Sequence, residues 1–378
     1  MTFAPHHARS GATTLPPPTP AVDGVHRTRE PRQEGPPVVR LDRNERLQPL
    51  PEGFIERIRQ SLQSAWFTSY PAQDRLMALL AAQTGLSEEQ LLLTAGSDAA
   101  CKALAQAYLR PGDAVVMLDP TYAMYPIYAQ MFQARVCPIS FDEDLALDTT
   151  RLLNSVAPGV RLVLIANPNQ PTGTVLPEAV LEQLADRARQ VGALLAVDEA
   201  YYPFSRTTVL PWVPQMPHLL VMRTFSKAAG LAGLRIGFAA GHPDVLRNLF
   251  KVRSIYDVNS MALACAEQIL RHPQVVDDYV AAVEEGRRIL SGRATALGFT
   301  PLASAANFML IRTAPRVQPV ELVERLRRRG YLVKGPFSHR GLAACIRVTV
   351  GSPELMQAFG DALAEALART PAGVDAPR

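Results

Sequence analysis

The stretch TFSKAAGLAGLRIG, residues 224–237, holds one lysine, Lys227, among small and hydroxyl-bearing residues, and one arginine, Arg235, eight positions later. The stretch has no other charged side chain. Lysine is scarce in this chain, because only four of the 39 Lys and Arg residues are lysines. Lysines are usually solvated surface groups, and an uncharged setting is unusual for one. An amine placed in this way is typical of lysines that react with carbonyl groups.

Four short apolar runs predict buried strands of a parallel sheet, because helical patterns separate them. The runs are DAVVML (113–118), RLVLIAN (161–167), ALLAVDEA (193–200) and HLLVMRTF (218–225). Alternating strands and helices indicate an α/β fold, whose ligands bind at the carboxyl ends of the strands. Polar residues stand at or just after the ends of three of these runs: Asn167 and Asn169, Asp198 and Glu199, and Ser226 and Lys227. We therefore expect one shared site at this edge of the sheet.

The residues at these strand ends match the needs of pyridoxal 5'-phosphate (PLP). This cofactor requires a lysine, a carboxylate that keeps its ring nitrogen protonated, and an anion site for its phosphate. We expect Asp198 to be the carboxylate, since a buried aspartate without a partner is costly. Arg235 is predicted to bind the phosphate together with the hydroxyls of Ser226 and of Thr224 or Ser97. Ser97 also stands at a predicted helix start, where free N–H groups favour an anion.

Aromatic and amide side chains complete the predicted site. Tyr122 follows another strand and is expected to stack on the pyridine ring. Asn169 and Tyr201 are hydrogen-bonding groups that could reach the phenolic oxygen of the ring. Each of these residues alone also has an ordinary explanation in a core, a loop or a helix cap. Their order and their shared position at strand ends favour a site.

These motifs resemble those of the fold-type I aminotransferases of class I and II, and within that family the chain is similar to histidinol-phosphate aminotransferases. The resemblance covers residues 38 to 368. The matching residues are Tyr70-Pro71, Ala95-Gly96-Ser97-Asp98, Pro120-Thr121-Tyr122, Asn167-Pro168-Asn169-Gln170-Pro171-Thr172-Gly173, Asp198-Glu199-Ala200-Tyr201, Thr224-Phe225-Ser226-Lys227, Gly233-Leu234-Arg235-Ile236-Gly237, Ala306-Asn307-Phe308 and Cys345-Ile346-Arg347-Val348-Thr349-Val350-Gly351.

The resemblance implies the PLP-dependent transferase fold of type I, with a mainly parallel seven-stranded sheet in a large domain and a smaller α/β domain. It implies that Lys227 is the Schiff-base lysine and proton shuttle, and that Asp198 and Tyr201 act with it on the cofactor. Asp98 is expected in the cofactor phosphate region. Tyr70 is expected to reach the phosphate of the neighbouring subunit, so the resemblance implies a homodimer with shared active sites.

The implied activity is transamination between an amino acid, or a histidinol-phosphate-like amine, and a 2-oxo acid. Arg347 is expected to bind a substrate carboxylate, and Asn307 is a further expected substrate residue. Decarboxylases, lyases and cyclodehydratases of the same fold remain alternatives, because only the orientation of the scissile bond separates these reactions.

Two positions depart from the histidinol-phosphate aminotransferase pattern. Asn44-Glu45-Arg46-Leu47-Gln48 stands where Asn-Glu-Asn-Pro-Tyr is expected, and Lys334 replaces an arginine, which keeps the charge but loses the bidentate fork. We expect Arg46 and Lys334 to bind an anionic or polar part of the substrate. A position of both residues at the rim of the pocket is the alternative.

The 378 residues, 48% hydrophobic and 20% charged, predict a folded protein with a large and a small domain. Residues 1–37 are rich in proline and arginine and are predicted to be a disordered arm. The other predicted parts are 38–70, the N-terminal part of the small domain and a dimer arm; 71–270, the large PLP-binding domain; 271–370, the C-terminal small domain; and 371–378, a loose tail.

Charge and hydropathy argue against other classes of protein. A net charge of +4 without a basic block gives no reason to expect a nucleic-acid partner. No apolar run reaches the roughly 18 residues of a membrane span, and no leader is evident, so we expect a cytoplasmic protein. The four cysteines are far apart and have no metal-ligand spacing, so no metal is expected.

Overall fold

The computed structural model describes residues 18–25 and 38–367. Its strands form a seven-stranded sheet, a three-stranded sheet and one strand pair. The strands are β1 (Val39–Leu41), β2 (Leu91–Thr94), β3 (Ala114–Asp119), β4 (Arg135–Ser140), β5 (Val160–Ala166), β6 (Leu194–Asp198), β7 (Leu219–Thr224), β8 (Gly237–Gly241), β9 (Thr300–Pro301), β10 (Phe308–Arg312), β11 (Tyr331–Val333) and β12 (Cys345–Thr349).

The large sheet has the strand order β2-β8-β7-β6-β5-β3-β4. The pairs β7–β6, β6–β5, β5–β3 and β3–β4 are parallel, and β8 alone runs antiparallel to both of its neighbours. The four strands predicted from apolar runs are β3, β5, β6 and β7. The prediction of a mainly parallel seven-stranded sheet is therefore confirmed.

Helices connect the strands and cover both faces of this sheet. The helices are α1 (Pro20–Asp23), α2 (Glu52–Ser61), α3 (Ala65–Thr68), α4 (Asp74–Thr84), α5 (Ser97–Tyr108), α6 (Met124–Met131), α7 (Thr149–Ser155), α8 (Glu178–Val191), α9 (Tyr202–Ser205), α10 (Pro243–Val252), α11 (Ser260–Arg271), α12 (Gln274–Ala296), α13 (Pro319–Arg328) and α14 (Pro353–Leu367). An apolar core lies on each face of the sheet. Val163 of β5 belongs to the core formed with α4, α7, α8 and α11. The next residue, Leu164, belongs to the core on the opposite face, formed with α5, α6 and α10. This alternation follows from the two-residue period of a strand.

A further core lies around the three-stranded sheet, whose order is β12-β10-β9 and whose pairs are antiparallel. Helices α12, α13 and α14 contribute buried residues to this core, and so does β1, which pairs in parallel with β11. The beginning of the N-terminal segment thus packs into this smaller core through Leu41, whereas Phe54 on α2 belongs to a core of the large sheet. The predicted domains, with their boundaries at residues 38–70, 71–270 and 271–370, stay a prediction.

One part of the predicted disordered arm is corrected. Residues 18–25 contain α1, whose Ala21 is buried, and Gln130 on α6 donates a hydrogen bond of 2.7 Å to the Gly24 carbonyl. The rest of residues 1–37, and the predicted tail at 371–378, lie outside the described residues. Within the described ranges, no helix has the length and apolar character needed to cross a bilayer.

Candidate active site

Parallel pairing brings the predicted polar residues to one edge of the large sheet. Asp198 is the last residue of β6; it pairs with Ala166 at the end of β5 and with Met222 near the end of β7. Lys227 follows β7 by three residues. A cavity at this edge is lined by Ser97, Asp98, Tyr122, Tyr125, Ala166, Pro168, Gln170, Asp198, Ala200, Tyr201, Thr224, Ser226, Lys227 and Arg235.

A larger cavity, of about 760 Å³, lies near the same β7 strand end but contains neither Lys227 nor Asp198. Its main charged pair is satisfied internally, because Arg223 donates to the Glu199 carboxylate at 2.9 Å and to the Thr208 hydroxyl at 2.7 Å. The chemistry expected from the sequence therefore belongs to the smaller cavity, which Lys227 and Asp198 both line.

Asp198 is held as a buried acceptor. One carboxylate oxygen accepts the Ala200 N–H at 3.0 Å, and the other accepts the Tyr125 hydroxyl at 2.8 Å. Burial raises the pKa of Asp198 to about 6, and these two hydrogen bonds work against that rise. The carboxylate is therefore mainly charged at pH 7 and can pair with a protonated ring nitrogen. Sequence reasoning missed Tyr125, although it stands in the same DPTYAMYP motif as Tyr122.

Lys227 faces the same cavity. Its Nζ donates to the Arg43 carbonyl at 3.4 Å and lies 5.8 Å from the centre of the Tyr201 ring. Burial lowers the pKa of Lys227 to about 8, and the nearby charge of Arg347 lowers it too. A much larger fraction of this amine is neutral near pH 7 than is usual for lysine, which suits a nucleophile or a base.

The predicted phosphate residues converge at one side of the cavity. Arg235 donates from Nη1 to the Ser226 hydroxyl at 3.3 Å, and the Thr224 hydroxyl donates to Ser226 at 2.9 Å. Helix α5 begins here at Ser97, so its free N–H groups add to the positive potential. Gly96 precedes it with φ +86°, and a Cβ at this position would lie 2.9 Å from Arg235 Nη2. The positive φ favours glycine here, and the missing Cβ leaves room for the Arg235 guanidinium.

Tyr122 and Asp98 also line the cavity. The Tyr122 hydroxyl donates to the Asp98 carboxylate at 3.3 Å, and its ring meets Tyr125 edge-on with 5.4 Å between centroids. The Tyr122 ring is thus fixed by a neighbour on each side. Together with the Arg235 cluster and Asp198, it provides an anion site, an aromatic wall and a carboxylate, which is the set of groups that fits PLP.

The expected role of Asn169 is corrected. Its amide nitrogen donates to the Pro120 carbonyl, which follows β3, at 3.0 Å and to the Thr172 hydroxyl in its own loop at 2.9 Å, so the side chain joins these two loops. Gln170, the next residue, lines the cavity instead and accepts the Tyr201 hydroxyl at 2.6 Å. Tyr201 in turn accepts a hydrogen bond of 3.0 Å from the Asn44 side chain. Sequence reasoning missed both Gln170 and Asn44.

Arg347 is buried close to the cavity. Its Nη2 donates to the Asp42 carbonyl at 2.8 Å, and its Nε–H has no acceptor among the described residues. Burial lowers the pKa of Lys227 and raises the pKa of Tyr201 to about 12; the charge of Arg347 adds to the first shift and opposes the second, which places it beside these two groups. An open donor on a buried guanidinium is a suitable contact for a carboxylate or phosphate.

The other three expected substrate residues do not line the cavity. Asn307 is fully buried and donates to the Asn44 carbonyl at 3.1 Å, so it supports the segment above the site. Lys334 is exposed, and only its main chain pairs with Arg347. The expectation that Arg46 contacts the substrate is corrected, because it does not line the cavity and its Nε and Nη1 donate to the main-chain carbonyls of Gln48, Ala228 and Val275.

Tyr70 also lies outside the cavity of its own chain. It is 78% exposed and stacks on the exposed Tyr256, with 4.2 Å between ring centroids and 12° between the planes. Phe67 and Ile255, near these two tyrosines in the sequence, are exposed as well.

Comparison with known proteins agrees with this geometry. Residues 36–363 match the family model "Aminotransferase class I and II". The chain is 36% identical over 342 residues to the histidinol-phosphate aminotransferase of Roseiflexus castenholzii, covering 87% of this chain and 89% of that protein. It is also 36% identical over 342 residues to histidinol-phosphate aminotransferase 1 of Ralstonia nicotianae, covering 88% and 90%.

Solved structures show the same fold. The histidinol-phosphate aminotransferase of Sinorhizobium meliloti in complex with pyridoxal-5'-phosphate has a TM-score of 0.80 at 24% identity and covers 95% of this chain and 98% of its own. The aspartate aminotransferase of Thermus thermophilus with maleate has a TM-score of 0.75 at 26% identity, covering 87% and 92%. The chain belongs to the class I and II aminotransferases and is a PLP-dependent enzyme of that family.

Proposed function

We propose that this aminotransferase transfers an amino group between a histidinol-phosphate-like amine and a 2-oxo acid. The observation that carries the proposal is that Lys227, Asp198 and Arg235 line one cavity, with Arg347 buried beside Lys227. The names of the relatives at 36% identity support the phosphorylated amine as substrate.

The residues of the cavity have distinct roles in this proposal. When bound, PLP supplies an aldehyde for the amino group and a ring that takes up the electrons of the Cα–H bond. Asp198 would hold the ring nitrogen protonated, and the cluster of Arg235, Ser226 and the α5 N-terminus would hold the phosphate. Lys227, with its lowered pKa, would move the proton between the substrate carbon and the cofactor carbon. Tyr201 and Gln170 would reach the phenolic oxygen.

Arg347 and Lys334 support an anionic substrate. The Nε–H of Arg347 is buried without an acceptor among the described residues, which costs free energy until an anion takes up the donor. Lys334 pairs with Arg347 through main-chain hydrogen bonds of 2.8 and 2.9 Å, so the two cations stand on adjacent strand segments. Arg347 would bind the anion inside the site, and Lys334 would add positive charge at its rim.

We also propose that the enzyme is a homodimer whose partner subunit supplies Tyr70. Its support is the set of exposed apolar side chains Phe67, Tyr70, Ile255 and Tyr256, of which Tyr70 and Tyr256 stack on each other, since large apolar groups exposed together mark an interaction surface. The Tyr70→Ala and Lys227→Ala variants are mixed in equal amounts and refolded together. About a quarter of the wild-type activity should then return, because half of the dimers are heterodimers and each heterodimer holds one complete site of its two. A mixture no more active than its separate components contradicts shared sites.

The substrate is tested by single turnover of the PLP-loaded protein. Histidinol phosphate should abolish the visible absorbance band and yield a carbonyl product faster than L-histidinol does.

Lys334→Met should reduce this preference for histidinol phosphate roughly twofold to fivefold, as expected for an exposed charge pair. Lys251→Met, an exposed lysine on α10, should leave the preference unchanged. A product in which the amino group has not been replaced by a carbonyl contradicts the proposal. Equal rates for histidinol phosphate and L-histidinol contradict it too.

Tyr125→Phe tests the hydrogen bond that keeps Asp198 charged. In the wild-type protein, PLP affinity should fall as the pH drops through about 6, because protonated Asp198 no longer pairs with the ring nitrogen. Loss of the Tyr125 hydroxyl raises the pKa of Asp198, so the fall should begin at a higher pH. At pH 7 the affinity should drop roughly twofold to fifteenfold, because a lost hydrogen bond of about 1.5–3 kcal/mol leaves a smaller share of Asp198 charged before the cofactor binds.

The control for this variant is Tyr108→Phe, which removes a hydroxyl bonded at 3.1 Å to Asn248, away from the cavity. PLP dissociation constants measured from pH 5 to 9 check the prediction. Identical pH profiles for the two variants would show that Tyr125 does not act on Asp198.

A further inference from the structure

We propose that Arg46 is a positioning residue for Lys227: it attaches the turn that carries the lysine to the beginning of α12. This inference rests on the proposed role of Lys227. Arg46 is one of the positions at which the chain departs from the family pattern, and the structure gives it a task other than substrate contact.

The hydrogen bonds of Arg46 join two separate parts of the chain. Its Nη1 donates to the Ala228 carbonyl at 3.0 Å and to the Val275 carbonyl at 2.9 Å. Ala228 directly follows Lys227, and Val275 is in the first turn of α12. A single nitrogen atom therefore links the turn that carries Lys227 to α12, a helix of the smaller core.

The guanidinium is half-buried, and three hydrogen bonds and one aromatic ring hold it in place. Burial lowers the pKa of Arg46, yet an arginine stays charged in proteins, so the cation needs compensating partners. It has the two carbonyls already named, the Gln48 carbonyl at 3.1 Å from Nε, and the Tyr279 ring with its centroid 4.3 Å away. Tyr279 belongs to α12, so this contact adds to the same link.

The stem of Arg46 also packs against the lysine turn. That turn is closed by the Gly230 N–H, which donates to the Lys227 carbonyl at 3.1 Å. Gly230 has φ +77°, and a Cβ there would lie 2.5 Å from Arg46 Cδ. The turn and the arginine stem thus touch without space between them, and a glycine is required at this contact.

The segment that carries Arg46 reaches the reacting groups as well. The Arg43 carbonyl accepts the Lys227 amine at 3.4 Å, and Asn44 donates to the Tyr201 hydroxyl at 3.0 Å. A shift of this segment therefore moves the acceptor of the amine and the partner of Tyr201 together. Arg46 fixes the segment, the lysine turn and α12 in one arrangement, and misplacement of a catalytic group by about 1 Å can cost a hundredfold in rate.

The test uses Arg46→Met and Arg46→Lys in the full chain. Arg46→Lys keeps the charge and the fold but cannot supply the same fork of donors. The matched control is Arg287→Met, which also removes a partly buried arginine with a lowered pKa, bonded at 2.6 Å to the Ala306 carbonyl but with no contact to the lysine turn. All three variants are compared by urea unfolding.

Two measurements separate positioning from general stability. The first is acetylation of Lys227 by acetic anhydride in the cofactor-free protein, followed across pH by peptide mass spectrometry. The wild-type midpoint should lie near the pKa of about 8, and both Arg46 variants should move it toward the ordinary value for lysine as the turn loosens and water enters. The second is steady-state kinetics, in which kcat should fall roughly tenfold to a hundredfold with little change in KM.

Arg287→Met should leave the acetylation midpoint and kcat unchanged even where it lowers the stability as much as Arg46→Met does. The inference is overturned if the Arg46 variants keep the wild-type midpoint and kcat, or if Arg287→Met shifts them equally. Failure of the underlying function has a different signature, because Lys227→Ala would then retain the visible band of the PLP-loaded protein.

Discussion

The parallel pairing of β5, β6 and β7 is the constraint on which the active site depends. The register of these strands aligns the last residues of β5 and β6. As a result, Asp198 and Lys227 line the same cavity. The core on both faces of the sheet fixes this register, since a one-residue slip would exchange the two faces of every strand. The geometry of the polar residues is thus a consequence of apolar packing elsewhere.

Burial then gives these residues their chemical properties. The same desolvation raises the pKa of Asp198 to about 6 and lowers the pKa of Lys227 to about 8. Each shift moves a group toward its neutral form. For the carboxylate, the hydroxyl of Tyr125 works against the shift; for the lysine, the neighbouring charge of Arg347 adds to it. A cofactor with a cationic ring nitrogen and an anionic phosphate complements the carboxylate at one place and the Arg235 cluster at another.

The fold and most of the cavity could be predicted from the sequence because their signals are local. Apolar runs marked β3, β5, β6 and β7, and the polar residues that follow them lie at the edge where parallel strands end. The choice between Asn169 and Gln170 could not be made in this way. Both are amides in one loop, and only the Pro120 and Thr172 contacts show that Asn169 is turned away from the cavity.

Long-range contacts account for the other differences. Arg46 was expected to bind substrate because it stands where the family has a substrate-lining segment, yet its acceptors are main-chain carbonyls 182 and 229 residues away. Carbonyl groups carry no sequence signature, so such a link cannot be read from residue types. Tyr125 reaches Asp198 across 73 residues, and its motif gave no sign of which tyrosine would face the carboxylate.

The most direct test of this account is to identify the lysine that binds PLP. The protein is loaded with PLP, reduced with borohydride and digested, and the peptides that gain the cofactor mass are identified by mass spectrometry. With only four lysines in the chain, at positions 102, 227, 251 and 334, the assignment is unambiguous. The account predicts that the label lies on Lys227 and is lost in Lys227→Ala. Stoichiometric labelling at any of the other three lysines would contradict it.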